Sequence, residues 1–269
     1  MQNKKCNIGL SGIAALLMMS GFLSAQALET ETARPLLPRQ FEIGAGLEYQ
    51  TSSEGTETAL PLAIEYGISD RFTILLEPVA FTNISPAEGN GVTGFGDLEV
   101  TMFYNVFKEK KFVPSISISA ECKLPTAKSE MIGTGKTDFT PYLIISKKMG
   151  HLDVSANLSY TLLGKPEGVS ELHNTIGYAF GGIYSLHDQF IIFGEFYGNS
   201  SALGNEAPEA IDGTSGLPTE LSGGEFVSAL GFGYYPVKNF LISLGVNYDN
   251  NNALLIRPGI EWKFGCDKK

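Results

Sequence analysis

The stretch Phe240-Leu-Ile-Ser-Leu-Gly-Val-Asn-Tyr-Asp249 decides the fold. Phe240, Ile242, Leu244, Val246 and Tyr248 share one phase, and Leu241, Ser243, Gly245, Asn247 and Asp249 share the other. A period of two is the signature of a strand with one apolar and one polar face. The next segment repeats it: Leu254, Ile256, Pro258, Ile260, Trp262 and Phe264 alternate with Arg257, Gly259, Glu261 and Lys263. Asn250–Asn252 joins the two as a tight hairpin. Working back along the chain, the same alternation predicts strands over 41–50, 58–68, 72–81, 95–107, 112–124, 137–147, 151–163, 172–185, 189–199, 224–235, 239–248 and 253–264. Most run to ten residues or more, enough for a tilted strand to cross a bilayer core, which takes roughly 9–11 residues.

The connections alternate in length. Short turns follow the second, fourth, sixth, eighth and tenth strands, and longer loops follow the first, third, fifth, seventh and ninth, the longest being 200–223. Short turns at one end and longer loops at the other mark an outer-membrane barrel. Lipid supplies no hydrogen bonds, so the first strand must close on the last. The expected fold is all-β: a transmembrane up-and-down antiparallel barrel of about twelve strands, both termini periplasmic. Pro78, Pro114, Pro141 and Pro258 fall inside the predicted strands and lack a ladder donor, so bulges or breaks are expected there.

Ahead of the barrel, Lys4 and Lys5 precede an apolar run from Ile8 to Leu23 that ends in Ala25-Gln26-Ala27. Basic start, apolar stretch and small-x-small ending form a secretory signal peptide over 1–27. The domain reading is then a periplasmic segment 28–40, the barrel 41–264 and a periplasmic tail 265–269. Removing the leader takes two bases and no acid, leaving 17 bases against 29 acids. Such an acidic chain lacks the basic footprint that nucleic acid requires. Outer-membrane lipid and a small-molecule solute are the expected partners; the solute and the oligomeric state stay open.

Charges belong in the lumen, because near the midplane of the lipid face each would cost about 2–4 kcal/mol. The inward phase carries Glu42, Glu48, Glu65, Glu77, Asp97, Glu99, Glu121, Asp138, Asp153, Glu195, Glu225 and Glu261, against Lys123, Arg257 and Lys263. An open lumen of this kind favours cations or neutral polar solutes; a narrow one is filled by the same charges pairing with one another. Gly44, Gly46, Gly177, Gly181, Gly231 and Gly233 suggest space inside, whereas Leu75, Ile144, Ile183 and Ile191 on the same phase suggest a dry constriction.

Tyr66 and Phe72, Tyr184 and Phe190, and Tyr234 and Phe240 each bracket a short turn. With Phe41, Phe107, Phe112, Trp262 and Phe264 they would form an aromatic girdle at one membrane interface, where such rings concentrate. Tyr49, Phe81, Phe139, Tyr160, Phe226 and Tyr248 would form the other.

Little else suggests chemistry. His151, His173 and His187 are dispersed, with no neighbourhood suited to activating a nucleophile, so no catalytic residue and no enzyme activity are expected. Gly133-Thr134-Gly135-Lys136-Thr137 imitates the end of a phosphate loop, but Glu130 stands where its leading glycine should be, and the segment reads as an external loop. No cofactor or metal site is expected; the acids of 200–223 read as a solvated loop. Cys122 and Cys266 fall at opposite ends of the barrel, too far apart for a disulfide.

Gly94-Phe95-Gly96-Asp97-Leu98, opening an alternating strand, resembles the Gly-x-Gly-Asp strand opening of the outer-membrane family labelled for the meta-pathway of phenol degradation. Leu124-Pro125-Thr126, then Gly133-Thr134-Gly135 and Asp138, is similar to the loop that follows in that family, with Ala127 replacing its usual glycine. The resemblance implies a barrel that passes small compounds, aromatic or hydrophobic ones included. Gly94, Gly96 and Asp97 carry over as a structural motif alone. The sequence therefore points to a passive channel, with a sealed structural or surface-binding barrel as the alternative.

Overall fold

The computed structural model describes residues 28–166, 172–202 and 224–265; the expected signal peptide 1–27, most of the 200–223 loop and Cys266 lie outside these. The strands, in chain order, are β1 (Gln40–Gly46), β2 (Glu48–Ser52), β3 (Gly55–Gly67), β4 (Phe72–Pro86), β5 (Val92–Gly94), β6 (Leu98–Phe107) and β7 (Ser115–Leu124). Then come β8 (Asp138–Met149), β9 (Leu152–Thr161), β10 (Thr175–His187), β11 (Phe190–Asn199), β12 (Glu225–Val237), β13 (Phe240–Asp249) and β14 (Leu254–Gly265). Sequential neighbours pair antiparallel, and β1 closes on β14 from Gln40↔Gly265 to Gly46↔Gly259. β1 with β2, and β5 with β6, are each one interrupted strand, so the wall is a closed barrel of twelve.

Its polarity is inverted relative to a soluble protein. On β13, Leu241, Ser243 and Asn247 are buried, while Ile242, Val246 and Tyr248 are exposed. On β7 and β8, Ser115, Ser117 and Ser146 are almost fully buried, yet Ile118 and Ile145 face outward. An outward apolar band around an inward polar phase suits a wall whose outer solvent is lipid.

Prolines account for the interruptions. Strand one breaks at Leu47: β1 pairs with β3 up to Ala45↔Leu62, and pairing resumes at Glu48↔Ala59. Pro61 lies on one side of that break. Pro258 lies on the other, its carbonyl accepting from the Leu47 N–H at 2.9 Å. Neither neighbour can donate at that level. Pro78 ends the regular β4–β6 ladder, and the wall there runs irregularly through Phe95-Gly96-Asp97 until β5 meets β4 at Thr82↔Gly94. Pro141 coincides with a gap between Tyr142↔Ser159 and the isolated bridge Phe139↔Leu162. Pro114 stands just outside β7, which begins three residues later than its pattern suggested.

The first long-end connection differs from expectation. β2 and β3 extend to Ser52↔Gly55, leaving a tight turn at 53–54 in place of a longer loop. β4 also runs on to Pro86, in register with Gly55. Gly55 has φ 138°, and a Cβ there would lie 2.3 Å from the Ser85 carbonyl oxygen, so glycine is what permits this close approach.

Candidate functional site

The segment 28–39, expected to trail from the barrel, lies inside it. Leu28 is 1% exposed and sits among Ile183, Ile191, Phe193 and Leu241, with Tyr235 against the cluster. Ala33 packs with Ala63, Leu75, Phe103 and Ile144. Leu36 is as deeply buried as Leu28, and its N–H donates to Thr73 Oγ1 at 3.2 Å. The inward apolar residues thus serve as two dry seats for one strap of chain. The segment crosses the lumen from the β10–β13 side to the β3–β8 side.

Polar groups fix it between the seats. Glu195, 2% exposed, takes the Glu29 N–H on Oε1 at 3.0 Å, and the Thr30 N–H and hydroxyl on Oε2 at 2.9 and 2.8 Å. The Ala33 carbonyl accepts from Asn105 Nδ2 at 2.7 Å, Ser115 Oγ at 2.9 Å and Ser117 Oγ at 2.7 Å. The Ala33 N–H donates to Ser146 Oγ at 2.7 Å. Arg34 grips Asp153 with both terminal nitrogens, at 2.9 and 2.6 Å, and Glu109 through Nε at 2.9 Å. This fork matches carboxylate geometry, and charge-assisted bonds of this kind are the stronger ones. Burial opposes ionisation of Glu109, but hydrogen bonds from Arg34, the Lys148 N–H and Lys147 prevail and hold its carboxyl below the ordinary value.

Several glycines exist for these contacts and not for open space. A Cβ on Gly181 would stand 2.8 Å from Thr30 Oγ1, and one on Gly67 would stand 2.2 Å from the Leu37 carbonyl oxygen. The room at Gly231 is taken by the Phe193 ring, at Gly233 by Ile191 and Leu241, and at Gly177 by Ser159. At the exit, Arg39 adopts φ 66°, turning the strap into β1, and its N–H donates to the Gly67 carbonyl at 2.8 Å.

The fifteen inward-phase charges occupy the lumen in groups. Near the short turns, Lys263 meets Glu42 at 2.5 Å, with Glu65 and Glu261 as their register neighbours. Asp153 holds Arg34. Across the lumen, Arg257 meets Glu29 at 2.5 Å and Glu48 at 2.7 Å. Toward the long loops, Lys123 meets Asp138 at 2.5 Å and Asp97 at 3.9 Å, with Glu77, Glu99 and Glu121 below them; Glu225 lies at the long-loop end of β12.

The Gly94–Asp97 motif has a local task. Asp97 Oδ1 accepts the Ala127 N–H at 2.9 Å, and Thr126 Oγ1 donates to the Gly96 carbonyl at 3.0 Å. A Cβ on Gly96 would meet Val79, and one on Gly133 would meet Asp97. The motif binds the 125–137 loop to the wall. Among the aromatics, Phe41 packs on Tyr66 at 4.4 Å and on Phe264 at 5.6 Å, and Phe190 on Tyr234 at 4.9 Å. Trp262 is outward and exposed.

Closed wall, apolar exterior, charged lumen and an internal strap define an outer-membrane-type β-barrel. The family described as "Putative MetA-pathway of phenol degradation" matches residues 40–266, and the chain belongs to it. An outer membrane channel from Pseudomonas putida F1 is similar in structure, at TM-score 0.66 and 11% identity over 86% of this chain and 98% of that one. The NanC porin is similar at TM-score 0.57 and 13% identity, over 82% and 100%. KdgM porin in complex with disordered oligogalacturonate follows at TM-score 0.55 and 13% identity, over 83% and 99%. No curated protein matches the chain.

The strap was the main feature missed from sequence. Its signal was present in Leu28, Ala33, Leu36 and Leu37, apolar residues too frequent for a solvated tail. Nothing in a single sequence says which surface those side chains meet.

Proposed function

We propose that the protein is an outer-membrane channel for passive uptake of small solutes, aromatic or hydrophobic ones among them, closed at rest by its own residues 28–39. One observation carries the reading: the lumen is obstructed by a separable strap and not by barrel side chains alone. Its seats are small and its anchors are hydrogen bonds and ion pairs that water can replace. The porin-type fold supports the same reading. The chain is exported behind the 1–27 signal peptide. Leu28, the first residue after the expected cleavage, fits a buried seat that supports cleavage there. Both termini face the periplasm, the short-turn aromatics mark the inner interface, and the inward charges line the solute path. The protein acts without catalysis.

Conductance in planar bilayers, for the full mature chain and for a variant lacking residues 28–38, tests this. Rare, small, cation-preferring openings are expected for the intact chain, and a several-fold larger and more persistent current for the deletion. Folding of both is followed by the heat-dependent gel mobility of a closed barrel. No conductance from either folded protein would sink the channel reading and leave a sealed structural or surface-binding barrel. The two dry seats favour that second reading.

A further inference from the structure

Ala33 meets the wall through both its backbone and its methyl group. Its carbonyl oxygen accepts from three side chains, Asn105 Nδ2 on β6 and the Ser115 and Ser117 hydroxyls on β7, at 2.7, 2.9 and 2.7 Å. A carbonyl has two lone pairs, so the wall supplies more donors than one peptide oxygen ordinarily receives. All three side chains are buried, at 1–2% exposure. Asn105 Nδ2 also donates to Ser115 Oγ at 2.8 Å and to Ser117 Oγ at 3.1 Å, which leaves the hydroxyl hydrogens to point at the Ala33 oxygen. Linked hydrogen bonds of this kind polarise one another. Asn105 and Ser117 are register partners across β6 and β7, so the wall and not the strap sets the spacing of the donors.

The methyl group lies on the second seat, among Ala63, Leu75, Phe103 and Ile144. One strap residue thus fills a donor nest and an apolar seat together. Both are built from barrel strands and persist when the strap leaves. A small cavity between strap and wall touches Thr73, Phe103 and Ser117, so the strap does not fill the site completely.

A buried donor without an acceptor is unfavourable. Water can replace the Ala33 oxygen, but it gains nothing from the apolar seat. A compact molecule with a carbonyl oxygen on an apolar body occupies both. An ammonium offers no acceptor. A carboxylate would approach Asp153 and Glu109 just as Arg34, which they hold, departs with the strap. The complementary guest is therefore neutral.

We propose that Asn105, Ser115 and Ser117, with the apolar seat at Phe103 and Ile144, form a binding site for a small neutral carbonyl compound, which Ala33 occupies as an internal stand-in. Such a compound competes for the donors that hold the strap, so its binding releases the strap. This deepens the channel reading and rests on it for the strap's ability to leave.

Hydrogen exchange across 28–38 reads the release, because the Glu29, Thr30, Ala33 and Leu36 N–H groups are all bonded to the wall. The full mature chain, folded in non-ionic detergent, is titrated with cyclohexanone. Cyclohexylammonium and cyclohexanecarboxylate, with the same ring and a charge, serve as comparisons. Cyclohexanone should accelerate exchange in 28–38 saturably, by about ten-fold or more, and leave the barrel strands unchanged. Neither charged ring should do so at the same concentration. The double variant Ser115→Ala, Ser117→Ala should exchange faster than wild type without probe, and cyclohexanone should add nothing further. Ala33→Gly takes the methyl group from the seat and leaves the wall intact. Its half-effect concentration should fall a few-fold, which keeps the test decisive if the double variant does not fold. Ser243→Ala, whose hydroxyl bonds the Gly259 carbonyl, should respond as wild type. No acceleration by cyclohexanone, equal acceleration by either charged ring, a full response in the double variant or an unshifted concentration in Ala33→Gly would overturn the site. Release needs no conductance: a strap released by cyclohexanone in a barrel that carries no current would keep the site and sink the channel, and currents without release would do the reverse.

Discussion

The two halves of the lumen differ in whether their carboxylates grip the strap. In the half near the short turns, three carboxylates grip the strap directly: Glu195 holds Glu29 and Thr30, and Asp153 and Glu109 hold Arg34. In the half toward the long loops, Glu77, Glu99 and Glu121 crowd one another while hydroxyls at Thr101 and Ser119 lack partners. Satisfied networks hold one arrangement, and leaving them incomplete costs free energy. The first half is built to keep a particular peptide in place.

That contrast can be broken most sharply at Glu195. Glu195→Ala strands two backbone donors and a hydroxyl of the strap, and hydrogen bonds to a charged group contribute about 1.5–3 kcal/mol each, less than additively. A loss on the order of 3 kcal/mol is expected, read as a roughly hundred-fold rise in open probability in bilayers. An unchanged closed state would mean that the strap is held elsewhere.

Leu28→Ala empties the first seat. Fully buried Leu→Ala changes cost about 2–5 kcal/mol, and the lower end applies because the strap can settle into the gap. Protease should reach the strap more readily in this variant, while the barrel keeps its heat-dependent mobility. Protection equal to wild type would show that the polar anchors alone suffice.

Proton dependence separates the halves further, because Glu31 lies at their boundary. Burial, then the nearby Glu29, Glu121 and Glu42 carboxylates, push its carboxyl from 4.5 up to about 8. The neutral form is therefore the better seated one. Its contribution to closure is complete below pH 4.5 and is lost as pH rises through about 8. Closed-state occupancy should fall between pH 6 and pH 9, and Glu31→Gln should flatten the profile. A rise in closure with pH would contradict this. Glu109 acts in the other direction: its lowered value makes its own bond to Arg34 weaken only in acid, below the ordinary carboxylate range.

The smallest effect is expected at Asp97, whose bond to Ala127 concerns the outer loop and not the strap. Asp97→Ala should cost about 1 kcal/mol locally, measured as faster amide exchange across 125–137, with bilayer closure unaltered. A change in closure would show that the two halves communicate.

Alternation in segments such as Phe240–Asp249 was enough to assign strands, their phase and a closed barrel, because a two-residue period is a local property that lipid enforces on every strand. The inward placement of Glu42, Glu195 and Arg257 follows from the same phase. The break at Leu47 was less legible. Its causes, Pro61 and Pro258, are in neighbouring strands, and only pairing brings them beside it.

The strap marks the division between what sequence determines and what tertiary structure decides. The sequence by itself determined the wall: the apolar phase, the charged lumen and the glycine and aspartate motif at Gly94–Asp97. Only the tertiary structure decided that the lumen glycine Gly181 makes room for Thr30, that Leu75, Ile144, Ile183 and Ile191 are seats for one segment, and that Glu195 bonds residues some 165 positions away in the chain. The physical reason is that a strand's phase is set by its own neighbours along the chain. A plug's position is set by contacts whose partners are remote in sequence, and those partners meet only once the barrel has closed.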